Sequence, residues 1–187
     1  MIENKLTRTK KGQKYLKKLY SNLYPNKELL CLYNQLPNGL FNNKPTENPN
    51  AHHRIFTAGM YDIWGIDSHH NFCVFELKKN TGNTKLGVIS ELFFYAVYAH
   101  KILCNPNILH KNTKNIRGYD ELYKTVTSGK IHGVTAIFLL GEGIHSQIRK
   151  RKEELIKLLN TNTYGIQFDF IQYDFATINA ISTKELE

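Results

Sequence analysis

Two acidic residues and a lysine occupy two successive segments that are predicted to be the strands of one hairpin. The stretch YDIWGIDSHHNFCVFELKK (61–79) shows strand-like alternation on both sides of a polar turn, with Asp62 before the turn and Glu76 and Lys78 after it. Alternate residues of a strand share a face, so Glu76 and Lys78 point to the same side. With DSHHN (67–71) as the connection, an antiparallel register places Asp62 directly opposite Glu76.

This arrangement predicts a metal site that acts on phosphate. Two carboxylates facing each other across a hairpin repel, and a divalent cation offsets the repulsion. Mg²⁺ takes oxygen ligands, typically one or two carboxylates with water and phosphate oxygens in its other positions. Lys78 would polarise the nucleophile or stabilise the charge of the transition state. The alternative is a solvated hairpin in which Glu76 and Lys78 form a surface pair of little energetic value. Because Trp64 and Val74 share that face, we favour the metal site.

A strongly apolar segment with a single acid follows the lysine. KLGVISELFFYAVYAHKILC (85–104) is apolar around nearly its whole circumference, which is typical of a buried helix. Glu91 lies in its middle, and a buried carboxylate needs a cation or a hydrogen-bond donor nearby. Tyr95 lies four residues further on and therefore on the same helical face. We expect Glu91 to lie in or beside the metal site. The alternative is that Glu91 is exposed to solvent in a crevice.

The elements that must position these residues predict one α/β domain, residues 1–187, with a mixed central sheet flanked by helices. A chain of this length can bury about 70% of its unfolded surface, which is enough for one core. Helical and strand-like periods follow in the order α–β–β–β–α–β–α–β. Residues 1–24 are predicted as a basic helical extension and 174–187 as a peripheral tail. The helices are predicted at 8–23, 26–36, 85–104, 119–126 and 146–160, and the strands at 53–59, 61–66, 71–79, 133–140 and 164–173.

The charge of the chain indicates an anionic partner. Lys and Arg number 25 against 16 Asp and Glu, a formal net charge of +9, and nucleic acid is the commonest partner of such proteins. Two basic segments offer tracks for a phosphate backbone, which they would hold without reading its sequence. They comprise Arg149, Lys150, Arg151 and Lys152 in one segment, and Lys10, Lys11, Lys14, Lys17 and Lys18 in the other. The alternative is that both are solvated helix faces.

Cysteine usage and hydropathy predict a cytoplasmic protein with no membrane partner. Cys31, Cys73 and Cys104 are an odd number without C-x-x-C spacing, which favours a reducing compartment. The histidine pairs at 52–53 and 69–70 do not supply zinc spacing, because adjacent residues of a strand point in opposite directions. No apolar run approaches the ~20 residues needed to cross a bilayer. The N-terminal stretch also lacks the apolar core of a signal peptide.

These residues, in this order on these elements, resemble the PD-(D/E)XK nuclease superfamily. Asp62 is followed by ELK (76–78) at the end of the next strand. A helix then carries Glu91 and Tyr95, which match the Gln-x-x-x-Tyr of some branches with Glu in place of Gln. The resemblance implies a restriction-endonuclease-like fold with an αβββαβ core, here over residues 26–140.

The resemblance also implies catalytic roles. Asp62 and Glu76 would bind a catalytic Mg²⁺ or Mn²⁺, and Lys78 would be the catalytic lysine. Glu91 would be either a further metal ligand or a residue that orients the lysine. Many members carry one more acid on the first core helix, and Glu28 is the candidate for it.

Two functions of different class follow. The first is a metal-dependent endonuclease that hydrolyses phosphodiester bonds, in DNA rather than RNA, and that is compatible with a homodimer. The second is a non-catalytic nucleic-acid-binding or scaffold protein on the same fold. The intact set of Asp62, Glu76 and Lys78 favours the nuclease, because a binding module has no need of it.

Overall fold

A large sheet and a small one are formed by the strands of the described residues. The computed structural model describes residues 1–38, 40–41, 54–56, 59–78, 87–103, 116–141 and 146–182. The strands are β1 Leu29–Pro37, β2 Leu40–Phe41, β3 Arg54–Phe56, β4 Met60–Asp67, β5 Asn71–Lys78, β6 Gly133–Leu140 and β7 Gln167–Gln172. In the large sheet β1, β4, β5, β6 and β7 lie side by side in that order, whereas β2 and β3 pair only with each other.

The large sheet is mixed, and helices connect its parallel strands. β1, β4 and β5 are antiparallel neighbours, whereas β5, β6 and β7 are parallel and need crossover connections. The helices are α1 Ile2–Arg8, α2 Lys10–Leu23, α3 Gly87–Leu103, α4 Tyr119–Thr127, α5 Ser146–Leu159 and α6 Phe175–Asn179. None of these helices is long and apolar enough to cross a membrane. The prediction of a single α/β domain with a mixed sheet is confirmed.

Successive residues of the central strands pack against helices on opposite faces of the sheet. Phe72 and Val74 of β5 join the cluster that contains Leu92 of α3, together with residues of α4 and α5. Phe75 joins the other cluster with Leu16 of α2, together with residues of α1 and α6. Strand β6 is buried from Val134 to Leu140, and apolar there except for Thr135, because both of its faces are covered in this way.

Residues 26–36, predicted as a helix, contain strand β1 instead. The burial of β1 alternates, with Leu32 and Leu36 buried, and β1 pairs with β4 along most of its length. Gly65 of β4 admits this close approach, because a Cβ there would collide with the carbonyl oxygen of Cys31. The leucines of this segment suit a helix locally, but pairing with a strand distant in sequence decides its conformation.

Three further segments differ from the sequence-based prediction. Within 53–59 the structure describes a strand only at β3, outside the large sheet, so the three antiparallel strands of that sheet are β1, β4 and β5. Residues 1–24, predicted as an extension, form α1 and α2, whose Leu6 and Leu16 are fully buried. In the predicted peripheral tail, Ile178 of α6 is fully buried as well. Both segments therefore belong to the core, because they cover one face of the sheet.

Candidate active site

The hairpin of β4 and β5 adopts the predicted register. Trp64 pairs with Val74, as in the alignment that sets Asp62 opposite Glu76. The ladder ends one residue before Asp62, whose carboxylate Oδ2 accepts a hydrogen bond of 3.0 Å from the backbone N–H of Leu77. The Asp62 side chain therefore takes the place of a ladder bond at the open end of the hairpin.

A buried carboxylate fixes the turn end of the hairpin, and with it the register. Asp67 Oδ1 accepts from the backbone N–H groups of His69 and Asn71 at 2.9 and 2.8 Å. Its Oδ2 accepts from the Tyr20 hydroxyl at 2.8 Å and from the Asn71 amide at 3.0 Å. Asp67 is fully buried, and these donors satisfy it. A slip of one residue would break these bonds and turn the strand residues to the other face.

Lys78 joins carboxylates from two different elements. Its Nζ donates to Glu76 Oε1 at 2.6 Å and to Glu91 Oε2 of α3 at 2.9 Å. The Glu76 side chain is only 4% exposed, whereas those of Lys78 and Glu91 are 24% and 39% exposed. The three side chains therefore extend from the core to the surface. The Lys78 carbonyl also accepts from the Gly141 N–H and from the Tyr173 hydroxyl, each at 3.1 Å. Both ends of the lysine are thus held in place.

Tyr95 completes the contacts of Glu91. Its hydroxyl donates to Glu91 Oε1 at 3.3 Å, as expected for residues four apart on a helix. The Tyr61 hydroxyl donates to the Tyr95 carbonyl at 3.3 Å, and the two rings meet edge to face with centroids 5.6 Å apart. The predicted residues that the structure brings together are Asp62, Glu76, Lys78, Glu91 and Tyr95, called here the acid–lysine cluster.

Electrostatics in the cluster favour a protonated acid pair and a charged lysine. Burial raises the pKa of Asp62 to about 6, and the charges of Glu3 and Glu91 add to the shift. Burial, followed by the charge of Asp62, raises the pKa of Glu76 to about 8 against the opposing effect of Lys78. Burial alone would lower the pKa of Lys78, but its contacts with Glu76 and Glu91 outweigh burial and raise it. The acid pair therefore retains a proton at neutral pH.

The charge of the cluster fits a divalent cation. Three carboxylates, those of Asp62, Glu76 and Glu91, lie around one ammonium group, and burial and the charges of neighbouring acids raise the pKa values of Asp62 and Glu76. Asp62 and Glu76 are the two that would hold a cation, because Lys78 and Tyr95 engage both oxygens of Glu91, whereas Lys78 engages Oε1 of Glu76. Within the described ranges no three His, Cys, Asp or Glu side chains converge as a ready-made metal-binding group. The carboxylates of the cluster surround Lys78 and do not form a preformed metal-binding group.

A further acid approaches the cluster from α1, and the sequence analysis missed it. Glu3 is close enough for its charge to raise the pKa of Asp62. Its Oε2 is buried and has no hydrogen-bond partner among the described residues. One sequence signal could have predicted the helix that carries Glu3. Ile2 and Leu6 are apolar residues four apart, which indicates a helix that begins before residue 8.

Glu28, predicted as the additional acid, is not part of the site, so that prediction is wrong. It precedes β1 and does not lie on a helix. Its N–H donates to Ser68 Oγ at 3.1 Å and its carbonyl accepts from the Ser68 N–H at 2.7 Å. Ser68 lies in the β4–β5 turn, and the length of β5, roughly 25 Å, separates this turn from Lys78.

The basic residues predicted to contact phosphate are exposed on both faces of the sheet. α5 packs through Ile148 and Ile156 on the face that carries α3, and α2 packs through Leu16 and Tyr20 on the opposite face. The exposed basic side chains are those of Arg149, Lys150, Arg151 and Lys152 on α5 and of Lys10, Lys11, Lys14 and Lys18 on α2, whereas Lys17 is half-buried and donates to the Leu30 carbonyl at 3.2 Å. These residues therefore form two surfaces and not one continuous track.

Some sequence-based expectations concern the histidine pair at 52–53, Lys79 and Cys104, which lie outside the described residues.

Comparison of the chain with protein-family models, with characterised proteins and with solved structures gives no match. The acid–lysine cluster is therefore the feature from which function is inferred.

Proposed function

We propose that the protein is a metal-dependent endonuclease that hydrolyses phosphodiester bonds in nucleic acid, in DNA rather than RNA. One observation carries this proposal. Lys78 is fixed between Glu76, which is 3% exposed, and Glu91 of α3, with the acid Asp62 beside them. In a solvated hairpin, the alternative for this sequence, Glu76 would be exposed and its pKa would stay near the ordinary value.

The order of elements supports a restriction-endonuclease-like arrangement. Apart from β2, β3 and α4, which lie between these elements in the chain, the order is α2, the antiparallel strands β1, β4 and β5, then α3, and then β6, which is parallel to β5. This is the αβββαβ order that the resemblance to PD-(D/E)XK nucleases implies. In the structure, α2 is the first helix of this order instead of the predicted helix at 26–36. Likewise, β1 is one of the three antiparallel strands instead of the predicted strand at 53–59. We propose fold and site together, because Asp62 and Lys78 lie at the same end of the hairpin.

The charged residues of the cluster have distinct tasks in this proposal. Asp62 and Glu76 would hold Mg²⁺ or Mn²⁺, which when bound supplies an activated water and neutralises charge on the phosphate. The raised pKa keeps Lys78 protonated at neutral pH. Lys78 therefore acts as a hydrogen-bond donor and a positive charge beside the scissile phosphate, and not as a base.

Glu91 and Tyr95 position the lysine. Glu91 holds Lys78 with one carboxylate oxygen and accepts from Tyr95 with the other, so both of its oxygens are engaged. When Glu76 turns to a cation, Glu91 still holds the ammonium group. Of the two roles left open by the sequence, orientation of Lys78 is therefore the one we propose, and not metal ligation.

The net charge is consistent with a nucleic-acid substrate, and the free thiols are consistent with a reducing compartment. The net charge of +9 and the exposed basic residues of α2 and α5 suit an anionic polymer. Cys31 and Cys73 are free thiols, as a reducing cytoplasm would keep them. Cleavage of both strands of a duplex is compatible with a homodimer. DNA is preferred to RNA on the resemblance alone.

A non-catalytic nucleic-acid-binding or scaffold protein is the alternative. The observation in its favour is that Lys78 binds Glu76 and Glu91 directly, and such a cluster can serve to join β5 to α3. In that case the raised pKa values would be a by-product of burial.

Titration of Mg²⁺ and Mn²⁺ with a mixed panel of DNA and RNA substrates separates the two functions. We expect cleavage that requires the metal and that is lost, together with calorimetric metal binding, in Asp62→Asn. The matched control is Asp120→Asn, an exposed acid of α4, which should cleave like the wild type. Binding of nucleic acid without cleavage of any substrate would favour the scaffold.

A further inference from the structure

One buried amide near the acid–lysine cluster has no partner. Asn38 follows β1 and is 1% exposed. Neither Oδ1 nor Nδ2 of its side chain has a hydrogen-bond partner among the described residues. Burying such a group unpaired lowers stability, and most buried polar side chains are paired for this reason. The position of Asn38 therefore needs an explanation.

Asn34, on the same strand, shows how a buried amide is ordinarily satisfied. It is 3% exposed, and its Oδ1 accepts from the Thr7 hydroxyl at 3.2 Å and from Arg8 Nε at 3.5 Å. Its Nδ2 donates to Asn4 Oδ1 at 3.0 Å. Asn34 thus ties β1 to α1, whereas the Asn38 amide makes no such connection within the described part of the chain.

The Asn38 amide and the Tyr95 hydroxyl converge on one glycine. A Cβ added to Gly59 would lie 2.6 Å from Asn38 Oδ1, 3.1 Å from Asn38 Nδ2 and 2.8 Å from the Tyr95 hydroxyl oxygen. The Asn38 N–H donates to the Gly59 carbonyl at 3.1 Å, which fixes the two backbones side by side. Because Gly59 has no side chain, the amide and the hydroxyl can both lie against the space that a Cβ would occupy.

Tyr95 connects this point to the lysine. Its hydroxyl donates to Glu91 at 3.3 Å, which is long for such a bond, and the other oxygen of Glu91 holds Lys78. A hydroxyl that donates one hydrogen bond can still accept another. Asn38 Nδ2 and this oxygen lie 3.1 and 2.8 Å from the same point, the Cβ position of Gly59, and no described residue accepts from Nδ2.

We propose that Asn38 is a positioning residue of the site. Its Nδ2 closes on the Tyr95 oxygen as the bound substrate reaches the transition state, holds the hydroxyl against Glu91 and thereby fixes Lys78. This inference rests on the proposed nuclease function. Asn38 acts through Tyr95 and does not touch the substrate. The free protein carries an unpaired amide, and the hydrogen bond is gained as the reaction begins, which favours the transition state over the ground state.

Paired melting curves separate this role from a structural one. Asn38→Leu removes an amide that has no partner, so we expect the Tm to stay the same or to rise by about 2–4 °C. Asn34→Leu, the matched control, breaks the bonds to α1 and should lower the Tm by about 4 °C or more. Asn38→Ala and Asn34→Ala repeat the comparison without a larger side chain. If both Asn38 variants lose as much stability as the Asn34 variants, the amide is structural and the inference is overturned.

Cleavage kinetics test the positioning itself. We expect Asn38→Leu and Tyr95→Phe each to lower kcat about tenfold with little change in KM, since the lost contact is made in the transition state. The double variant should be no slower than Tyr95→Phe, because Asn38 acts only through the hydroxyl. Wild-type kcat in Asn38→Leu, or losses that multiply in the double variant, would overturn this inference and leave the nuclease proposal intact. A wild-type protein that cleaves nothing would overturn both, whatever the melting curves show.

Discussion

Lys78 lies between Glu76 and Glu91 and serves as their counter-ion. Its single positive charge does not balance the negative charges that the nearby acids would carry if all were ionised. Burial, and after it the charges of neighbouring acids, raises the pKa values of Asp62 and Glu76. Groups shifted in this way are typical of sites that another charged species completes, although structural ion pairs also shift pKa values. Asp62, Glu76 and Lys78 were predictable because one local alternation sets their faces. Glu3 was not, because its approach depends on how α1 packs against distant strands.

The raised pKa values predict that the protein without added metal loses stability as pH rises. In the folded state the pKa of Asp62 is about 6 and that of Glu76 about 8, both above their ordinary values. The folded state therefore binds more protons than the unfolded chain between about pH 4 and pH 8, and the free energy of unfolding falls as pH rises through this window. We expect a fall of about 1–3 kcal/mol from pH 5 to pH 8, measured by urea denaturation.

Glu76→Gln provides the control for this prediction. The amide cannot ionise, so most of the pH dependence between pH 5 and pH 8 should disappear. An equal slope in wild type and Glu76→Gln would show that Glu76 does not carry the effect.

At the scale of elements, the β4–β5 hairpin and β6 were predictable from local pattern, whereas β1 was not. The hairpin has alternating strands and a polar turn, and its register follows from the turn length. Residues 26–36 contain leucine, lysine and glutamate, which suit a helix as well as a strand. Their conformation is decided by pairing with β4, and the close approach at Gly65 is part of that pairing.

Two glycine substitutions test how tightly β1 lies on β4. Gly65→Ala places a Cβ against the Cys31 carbonyl oxygen and should lower the free energy of unfolding by about 1–3 kcal/mol. Gly87→Ala, at the start of α3, meets nothing within 4 Å and should be neutral or stabilising by up to about 1 kcal/mol. Thermal denaturation of both variants gives the comparison. Equal stabilities would mean that β1 can shift away from Gly65 without loss.

At the scale of the whole molecule, the helices that cover the two faces of the sheet each carry a basic surface. The α5 surface (149–152) and the α2 surface (10–14) are separated by the sheet, and the acid–lysine cluster lies where β5 ends. Net charge was readable from the sequence, but its division into two surfaces follows only from the way α2 and α5 pack.

Neutralising each surface separately shows which one contacts phosphate. Replacing Arg149, Lys150, Arg151 and Lys152 by Gln should weaken binding about equally for all sequences, because phosphate contacts carry no sequence information. Each lost contact should flatten the plot of log K against log salt by about one unit. Lys10, Lys11 and Lys14 replaced by Gln form the comparison set. An unchanged slope for either set would mean that its surface is only solvated.

The most direct test of the central claim is the cleavage rate of Lys78→Ala with Mg²⁺ or Mn²⁺. Because the proposed role of the ammonium group is in the transition state, we predict that cleavage falls by ~100-fold or more, that nucleic-acid binding changes by at most a few fold, and that metal binding persists. Lys130→Ala, an exposed lysine after α4 and away from the cluster, should cleave like the wild type. A Lys78→Ala protein that cleaves as fast as the wild type would contradict the proposed mechanism.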